Sequence, residues 1–115
     1  MPNSNAHAPI MLVSPEDVTA ALYAPGSSEQ DTRSNHLRAM LQGVTALLRS
    51  GQFSEFDGIL AALRPDDLSP SMATGVLRYS FAAREVLPNW GTARDRVRAS
   101  LVRRGEDADD ILSGL

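Results

Sequence analysis

The residues of this sequence that could most readily bind a ligand or a partner are five arginines close together: Arg94, Arg96, Arg98, Arg103 and Arg104. A guanidinium presents a planar fork of N–H donors that matches carboxylates and phosphates. The cluster is therefore a candidate for binding an acidic protein surface or a nucleic-acid backbone. On a helix with about 100° between residues, Arg94 and Arg98 flank the apolar stripe, whereas Arg96 and Arg103 lie on the far side. The arginines do not form one narrow stripe, which favours an ordinary solvated helix face.

Acidic residues follow at Asp107, Asp109 and Asp110. An EF-hand calcium loop needs a glycine at its sixth position and an acid at its twelfth, and this segment does not supply them. We therefore expect no metal site and no cofactor. Residues 106–115 instead predict a short amphipathic acidic helix, which docks on its own bundle or enters a groove on another protein. The expected interaction surface consists of Arg94, Arg98, Arg103, Arg104, Asp109, Asp110 and Leu115.

Catalytic signals are weak. His36 is the one histidine inside the predicted fold, and nothing in the sequence positions Glu29 or Asp31 beside it as a general base requires. The serines occur mostly in the tail, at helix caps or at turns, where hydroxyls satisfy backbone N–H groups. The chain has no cysteine for thiol chemistry and no lysine for a phosphate-binding loop. We therefore expect a protein that is not an enzyme.

Charge is unevenly distributed along the 115 residues. The net charge is −3, made up of −4 for residues 1–31, +5 for residues 32–105 and −4 for residues 106–115. A basic middle between acidic ends favours charge pairing within the chain or between subunits, so a homodimer stays open. No apolar run approaches the roughly 20 residues that span a bilayer, and no leader pattern is present. We expect a cytoplasmic protein without a membrane partner.

Several local signals predict where helices begin. The Ser-Pro pairs at 14–15 and 69–70 each combine an N-cap serine with a proline at the first helical position. Ser54 and Asp57 have the spacing of a capping box and predict the start of a third helix. Val13 and Val18 have the spacing of a hydrophobic staple around the first helix start.

Further signals bound the helices in the second half. Asn89 or Thr92 is expected to cap the fifth helix, and Asp107 to cap a short last one. Glycine after a helical run commonly ends it, so Gly51 and Gly105 are expected to end the second and fifth helices. Trp90 is expected to be the largest core residue, at the junction of the fourth and fifth helices.

Hydrophobic periodicity supports the same reading. Six apolar residues recur at helical spacing and predict one continuous buried face of a long helix: Leu37, Met40, Leu41, Val44, Leu47 and Leu48. No convincing alternation with a period of two appears. The sequence thus predicts an all-α fold of five to six short helices, arranged as a small bundle or as two stacked helical hairpins. Residues 1–13 are expected to be a flexible tail and residues 14–115 a single helical domain.

Two functional hypotheses follow. The leading one is a non-enzymatic protein–protein interaction module, such as a small adaptor, regulator or assembly factor. Its motivation is that the polar clusters have ordinary capping roles, while the charge pattern suits complementary contacts. The alternative is a nucleic-acid-binding regulator that uses the arginine-rich helix 92–104, with an affinity that falls steeply with salt. A net charge of −3 is far from the basic footprint of a dedicated DNA-binding domain.

Overall fold

The computed structural model describes residues 14–23 and 34–115. This part of the chain contains helices and no strand, which confirms the all-α prediction. The tail expected at residues 1–13, and with it the staple contact of Val13, lies outside the described residues. None of the helices described is both long and apolar enough to cross a membrane. The helices are α1 (Pro15–Leu22), α2 (Ser34–Arg49), α3 (Phe53–Ala61), α4 (Pro70–Ser80), α5 (Trp90–Arg103) and α6 (Ala108–Ile111), with 3₁₀ turns at Pro65–Asp67 and Phe81–Val86.

Three of the predicted caps are present. Ser14 and Asp17 form a reciprocal capping box at the start of α1, with both hydrogen bonds at 3.2 Å. The hydroxyl of Ser69 accepts a hydrogen bond from the Met72 backbone N–H at 3.1 Å and so caps α4. Asp107 caps α6 in the same way. In each case the capping hydrogen bond closes within three residues.

The capping box predicted at Ser54 is wrong. Helix α3 begins at Phe53, with Gln52 as its N-cap and no side-chain cap. The reason lies at the end of α2, where Gly51 has a φ of 77°. This glycine allows the Gln52 N–H to bond the Leu47 carbonyl at 2.9 Å in a Schellman turn. The Gln52 carbonyl then accepts from Phe56, so Ser54 is already inside the first turn of the helix.

The helices form two stacked hairpins, one of the two predicted arrangements. The α2–α3 hairpin packs on the α4–α5 hairpin through contacts of α2 with α4 and of α3 with α5. Helix α1 covers α2 and α3, and α6 packs on α5. The α1 end is fixed where the Tyr23 hydroxyl accepts from the Arg64 backbone N–H at 3.0 Å, with the Arg64 guanidinium over the ring. Buried apolar side chains from all six helices form one cluster.

The junction of α4 and α5 is built around Trp90, which is only 6% exposed, as the sequence predicts. Its indole N–H donates to the Ser80 hydroxyl at 3.0 Å, and its ring meets Phe81 edge to face at 5.6 Å. Ser80 itself donates to the Val76 carbonyl at 2.7 Å, a bond of the kind that slightly destabilises and often bends helices. Helix α4 ends at Ser80, and the chain continues as a 3₁₀ turn from Phe81 to Val86.

The apolar stripe of α2 divides into two parts. Met40, Val44 and Leu47 are fully buried in the core. Leu37, Leu41 and Leu48 pack against the core but are only partly buried. The apolar face of α2 is therefore wider than the core against which it packs. Among the described residues, nothing fully covers the outer edge of this face.

Candidate interaction groove

The structure divides the interaction surface expected from the sequence. Arg94 Nη1 donates to the Leu115 carbonyl at 2.8 Å, and Arg98 Nη1 pairs with Asp109 Oδ1 at 2.6 Å. These four residues come together where α6 docks on α5. Ala108 and Leu112, on the inner side of the last segment, are buried. The acidic C-terminal helix therefore docks on its own bundle.

Arg103 and Arg104 act elsewhere, on the 3₁₀ turn at Pro65–Asp67. Arg103 Nη2 pairs with the Asp66 carboxylate at 2.8 Å. Arg104 Nη2 lies within 2.6 to 2.9 Å of three carbonyl oxygens, those of Pro65, Asp66 and Leu68. Asp110 stands apart from both groups: its backbone N–H is capped by Asp107 and its side chain is exposed.

The Asp66 carboxylate is the centre of the second group. It accepts a hydrogen bond from the buried Ser100 hydroxyl at 2.5 Å as well as the Arg103 pair. The Ser100 hydrogen bond, followed by that of Arg103, holds the pKa of Asp66 below its ordinary value.

The remaining arginine of the cluster, Arg96, donates to the Ala61 carbonyl at 2.6 Å. All five arginines thus have acceptors inside the chain and tie α5 to its neighbours.

Among the described residues, an open groove lies between α2 and the end of α4. Two adjoining depressions of about 670 and 290 Å³ share Thr45, Arg49 and Tyr79 as lining residues. Together they form one groove, the α2 groove, bounded by residues 37–49 of α2 with Phe53 and by residues 79–83. The two walls run in the same direction, since Gly75 lies against Leu37 and the later residues 82–83 lie near Leu48.

The floor of the α2 groove is apolar. Leu37, Leu41 and Leu48 form it with side chains that are only partly buried. Gly75 on α4 sets its depth, because a Cβ at that position would come within 3.4 Å of the methyl ends of Leu37 and Leu41. The Thr45 hydroxyl donates to the Leu41 carbonyl at 2.9 Å, so it is satisfied by its own helix. The floor therefore presents mostly hydrocarbon.

The rim of the groove is positively charged. Arg38, Gln42, Thr45 and Arg49 follow one another at helical spacing along its outer edge, and both arginines are exposed. At 1.5 Å per residue, the two arginines are about 16 Å apart along the helix axis. Among the side chains that the structure describes, those of residues 14–23 and 37–115, neither arginine has a hydrogen-bonding or ion-pair partner, and none of the described lining residues is a carboxylate. Tyr79, 53% exposed, forms the opposite wall.

Reasoning from sequence did not identify Arg38, Arg49 or Tyr79 as site residues. A signal for the arginines exists, since the apolar stripe of α2 is unusually wide and both arginines border the same edge of it. No such signal exists for Tyr79, because its place beside α2 depends on how the two hairpins stack.

The described residues contain no group of three or more histidine, aspartate or glutamate side chains placed to hold a metal ion. Comparison of this chain with known protein families, with characterised proteins and with solved structures gave no match.

Proposed function

We propose that this protein is a non-enzymatic interaction module that binds a helical segment of another protein in the α2 groove. The observation that carries the proposal is the open apolar floor between two helices, bordered by arginines without described partners. The roles of adaptor or regulator, and the cytoplasmic location expected from the sequence, belong to the same proposal.

The dimensions of the groove favour a helix as the occupant. Residues 37–49 extend over about 18 Å, which matches three turns of a second helix laid alongside. Helices bound in grooves use apolar anchors three, four or seven residues apart, and the floor leucines are four and seven residues apart. Tyr79 adds a large amphipathic ring of the kind enriched at protein interfaces.

An open groove suits a peptide better than a small molecule. Sites for small ligands usually enclose roughly 70–90% of the ligand surface. Among the described residues, the α2 groove is walled only by α2 with Phe53 and by residues 79–83, so a small ligand would leave much of its surface in water. A helix can leave its polar face in water and lose nothing by it.

Nucleic-acid binding through residues 92–104 is the weaker proposal. Arg94, Arg98 and Arg103 each donate to an acceptor within the chain. A phosphate would have to displace these contacts before gaining its own. Protein binding at the α2 groove requires no such exchange among the described residues.

The proposal is tested by selecting helical peptides from a displayed random library with the full chain as target. Selected peptides are then measured against the Leu41→Arg variant, which places a charge on the groove floor. We expect a loss of about tenfold or more, equivalent to about 1.4 kcal/mol. The matched control is Val102→Arg, because Val102 is 60% exposed on α5, away from the groove.

A second groove variant, Tyr79→Ser, guards against a folding defect in Leu41→Arg, and thermal melting of each variant shows whether it is folded. Tyr79→Ser is expected to lower the affinity for the same peptides. Peptides of scrambled sequence show the background binding, which neither variant should change. The proposal is overturned if no helical peptide is selected, or if the selected peptides bind both groove variants as tightly as the unsubstituted chain.

A further inference from the structure

The described residues that line the α2 groove have charges of one sign. Arg38 and Arg49 are the only charged side chains among its described lining residues. This contrasts with the whole chain, whose net charge is −3, and with α5, where the arginines face carboxylates or carbonyls. A groove with this lining repels cationic partners and attracts anionic ones.

We infer that the α2 groove takes an acidic amphipathic helix whose carboxylates, three turns apart on one edge, pair with Arg38 and Arg49. This inference rests on the proposed function and names the chemistry of its partner. The spacing follows from geometry: the two arginines are eleven positions apart, which returns a helix to nearly the same face and places them about 16 Å apart. A helix lying alongside α2 meets both with acids separated by the same number of residues.

The floor and the rim of the groove contribute differently to binding, because the rim arginines are exposed. The apolar floor provides most of the affinity, because burial of hydrocarbon is the larger favourable contribution. Both arginines are exposed, so each ion pair contributes modestly and is screened by salt. The rim therefore acts mainly on selectivity, by favouring acidic helices over neutral or basic helices with the same apolar face.

Two other occupants fit the charge pattern less well. A second copy bound about a two-fold axis perpendicular to the groove would place Arg38 of each protomer near Arg49 of its partner, so that like charges face one another. An anionic membrane is a broad surface, whereas the apolar residues here line a concave groove between two helices. A narrow acidic helix satisfies both the shape and the charge.

The test uses three fluorescently labelled peptides with one common apolar face. The first has two glutamates eleven positions apart, the second has the same two glutamates four positions apart, and the third has glutamines in place of both. Anisotropy titrations against the full chain are expected to rank the peptides in that order, with about tenfold between the first and the third. At about 1 M salt, where screening acts over roughly 3 Å, the three affinities should converge.

Variants of the protein locate the effect. The double variant Arg38→Gln and Arg49→Gln is expected to bind the first peptide no more tightly than the third, with the affinity for the third unchanged. The control is Arg98→Gln on α5, which removes an exposed arginine that is paired with Asp109 and should leave all three titrations unchanged.

The outcomes separate this inference from the proposed function. Equal binding of all three peptides, lost in Leu41→Arg, overturns the acidic partner and leaves the helix-binding groove standing. Failure of all three to bind counts against both. Two other results would overturn the acidic helix as occupant: binding of the chain to vesicles that contain phosphatidylserine, or self-association seen in sedimentation. Either result counts if the Leu41→Arg variant loses that binding or self-association.

Discussion

The carboxylate of Asp57 accepts two hydrogen bonds from Asn89, one from the backbone N–H at 2.8 Å and one from the side-chain amide at 2.7 Å. The sequence predicts that Asp57 completes a capping box with Ser54 and that Asn89 or Thr92 caps α5. Asp57 caps nothing in α3, and Asn89 is the N-cap residue of α5 but makes no capping hydrogen bond with its side chain. Asp57 instead satisfies the backbone at the start of α5 from across the stacked hairpins. This contact joins α3 to α5 directly.

Removing the Asp57 carboxylate should therefore loosen the two hairpins. Asp57→Ala leaves the Asn89 N–H without its partner in a partly buried position and should lower the free energy of unfolding by about 1.5–3 kcal/mol. Asp57→Asn keeps one accepting oxygen and should lose clearly less. Urea denaturation of the three proteins measures both values, and equal stability of all three would contradict the contact.

Two serines, Ser69 and Ser54, should differ in what their replacement by alanine does to stability. Ser69→Ala removes a cap from the buried Met72 N–H and should lower stability by about 1–2 kcal/mol. Ser54→Ala changes an exposed serine inside the first turn of α3 and should be neutral or slightly stabilising, because alanine is the better helix former. Thermal melting compares them. A loss in Ser54→Ala as large as that in Ser69→Ala would restore Ser54 as a cap.

Neighbouring residues on α2 should separate stability from binding. Met40→Ala truncates a fully buried side chain and should lower stability by about 2–5 kcal/mol. Leu41→Ala truncates a partly buried one and should lower it by only about 1 kcal/mol. Leu41→Ala should also weaken groove-binding peptides. A stability loss for Leu41→Ala equal to that for Met40→Ala would mean that the groove is closed in solution.

Two arginines of α5 should differ in their structural importance. Arg104→Ala removes the guanidinium that donates to carbonyls of the Pro65–Leu68 turn, and leaves those of Asp66 and Leu68 without this donor, so it should lower stability by about 1–3 kcal/mol. Arg98→Ala removes an ion pair whose side chains are 44% and 88% exposed, and should change stability by less than about 1 kcal/mol. Urea denaturation tests the contrast, and the reverse order would refute it.

The lowered pKa of Asp66 leads us to expect that the stability of the protein depends on pH. Its pKa in the folded protein is lowered by Ser100 and then by Arg103. A group of this kind contributes stability that is fully present above its unfolded pKa and that is lost as pH falls through the lower, folded pKa. Ser100→Ala should raise the Asp66 pKa towards its ordinary value, which carboxyl carbon NMR titration would follow.

The control for this prediction is the Asp66→Asn background. In it, Ser100→Ala should no longer alter the acid side of the stability profile, because the titrating group is gone. An Asp66 pKa that does not move in Ser100→Ala would show that the 2.5 Å hydrogen bond has no influence on it.

Features that close within a few residues can be read from this sequence. Ser14 and Ser69 cap the next turn, and Gly51 and Gly105 take positive φ angles after their helices, so their signals are complete locally. The spacing of Trp90 and its neighbours likewise marks one face of α5 for burial. Helix number and most helix boundaries follow from such signals.

Only the tertiary structure decides what lies opposite each side chain. The sequence shows an arginine cluster at residues 94–104 but cannot show that its acceptors lie in distant segments, such as Asp66 and Leu115. It shows a wide apolar stripe on α2 but cannot show that α4, brought close by Gly75, covers part of it and leaves a groove. Charge pairing and burial depend on surfaces that meet through packing, and that information is not contained in the spacing of any one helix.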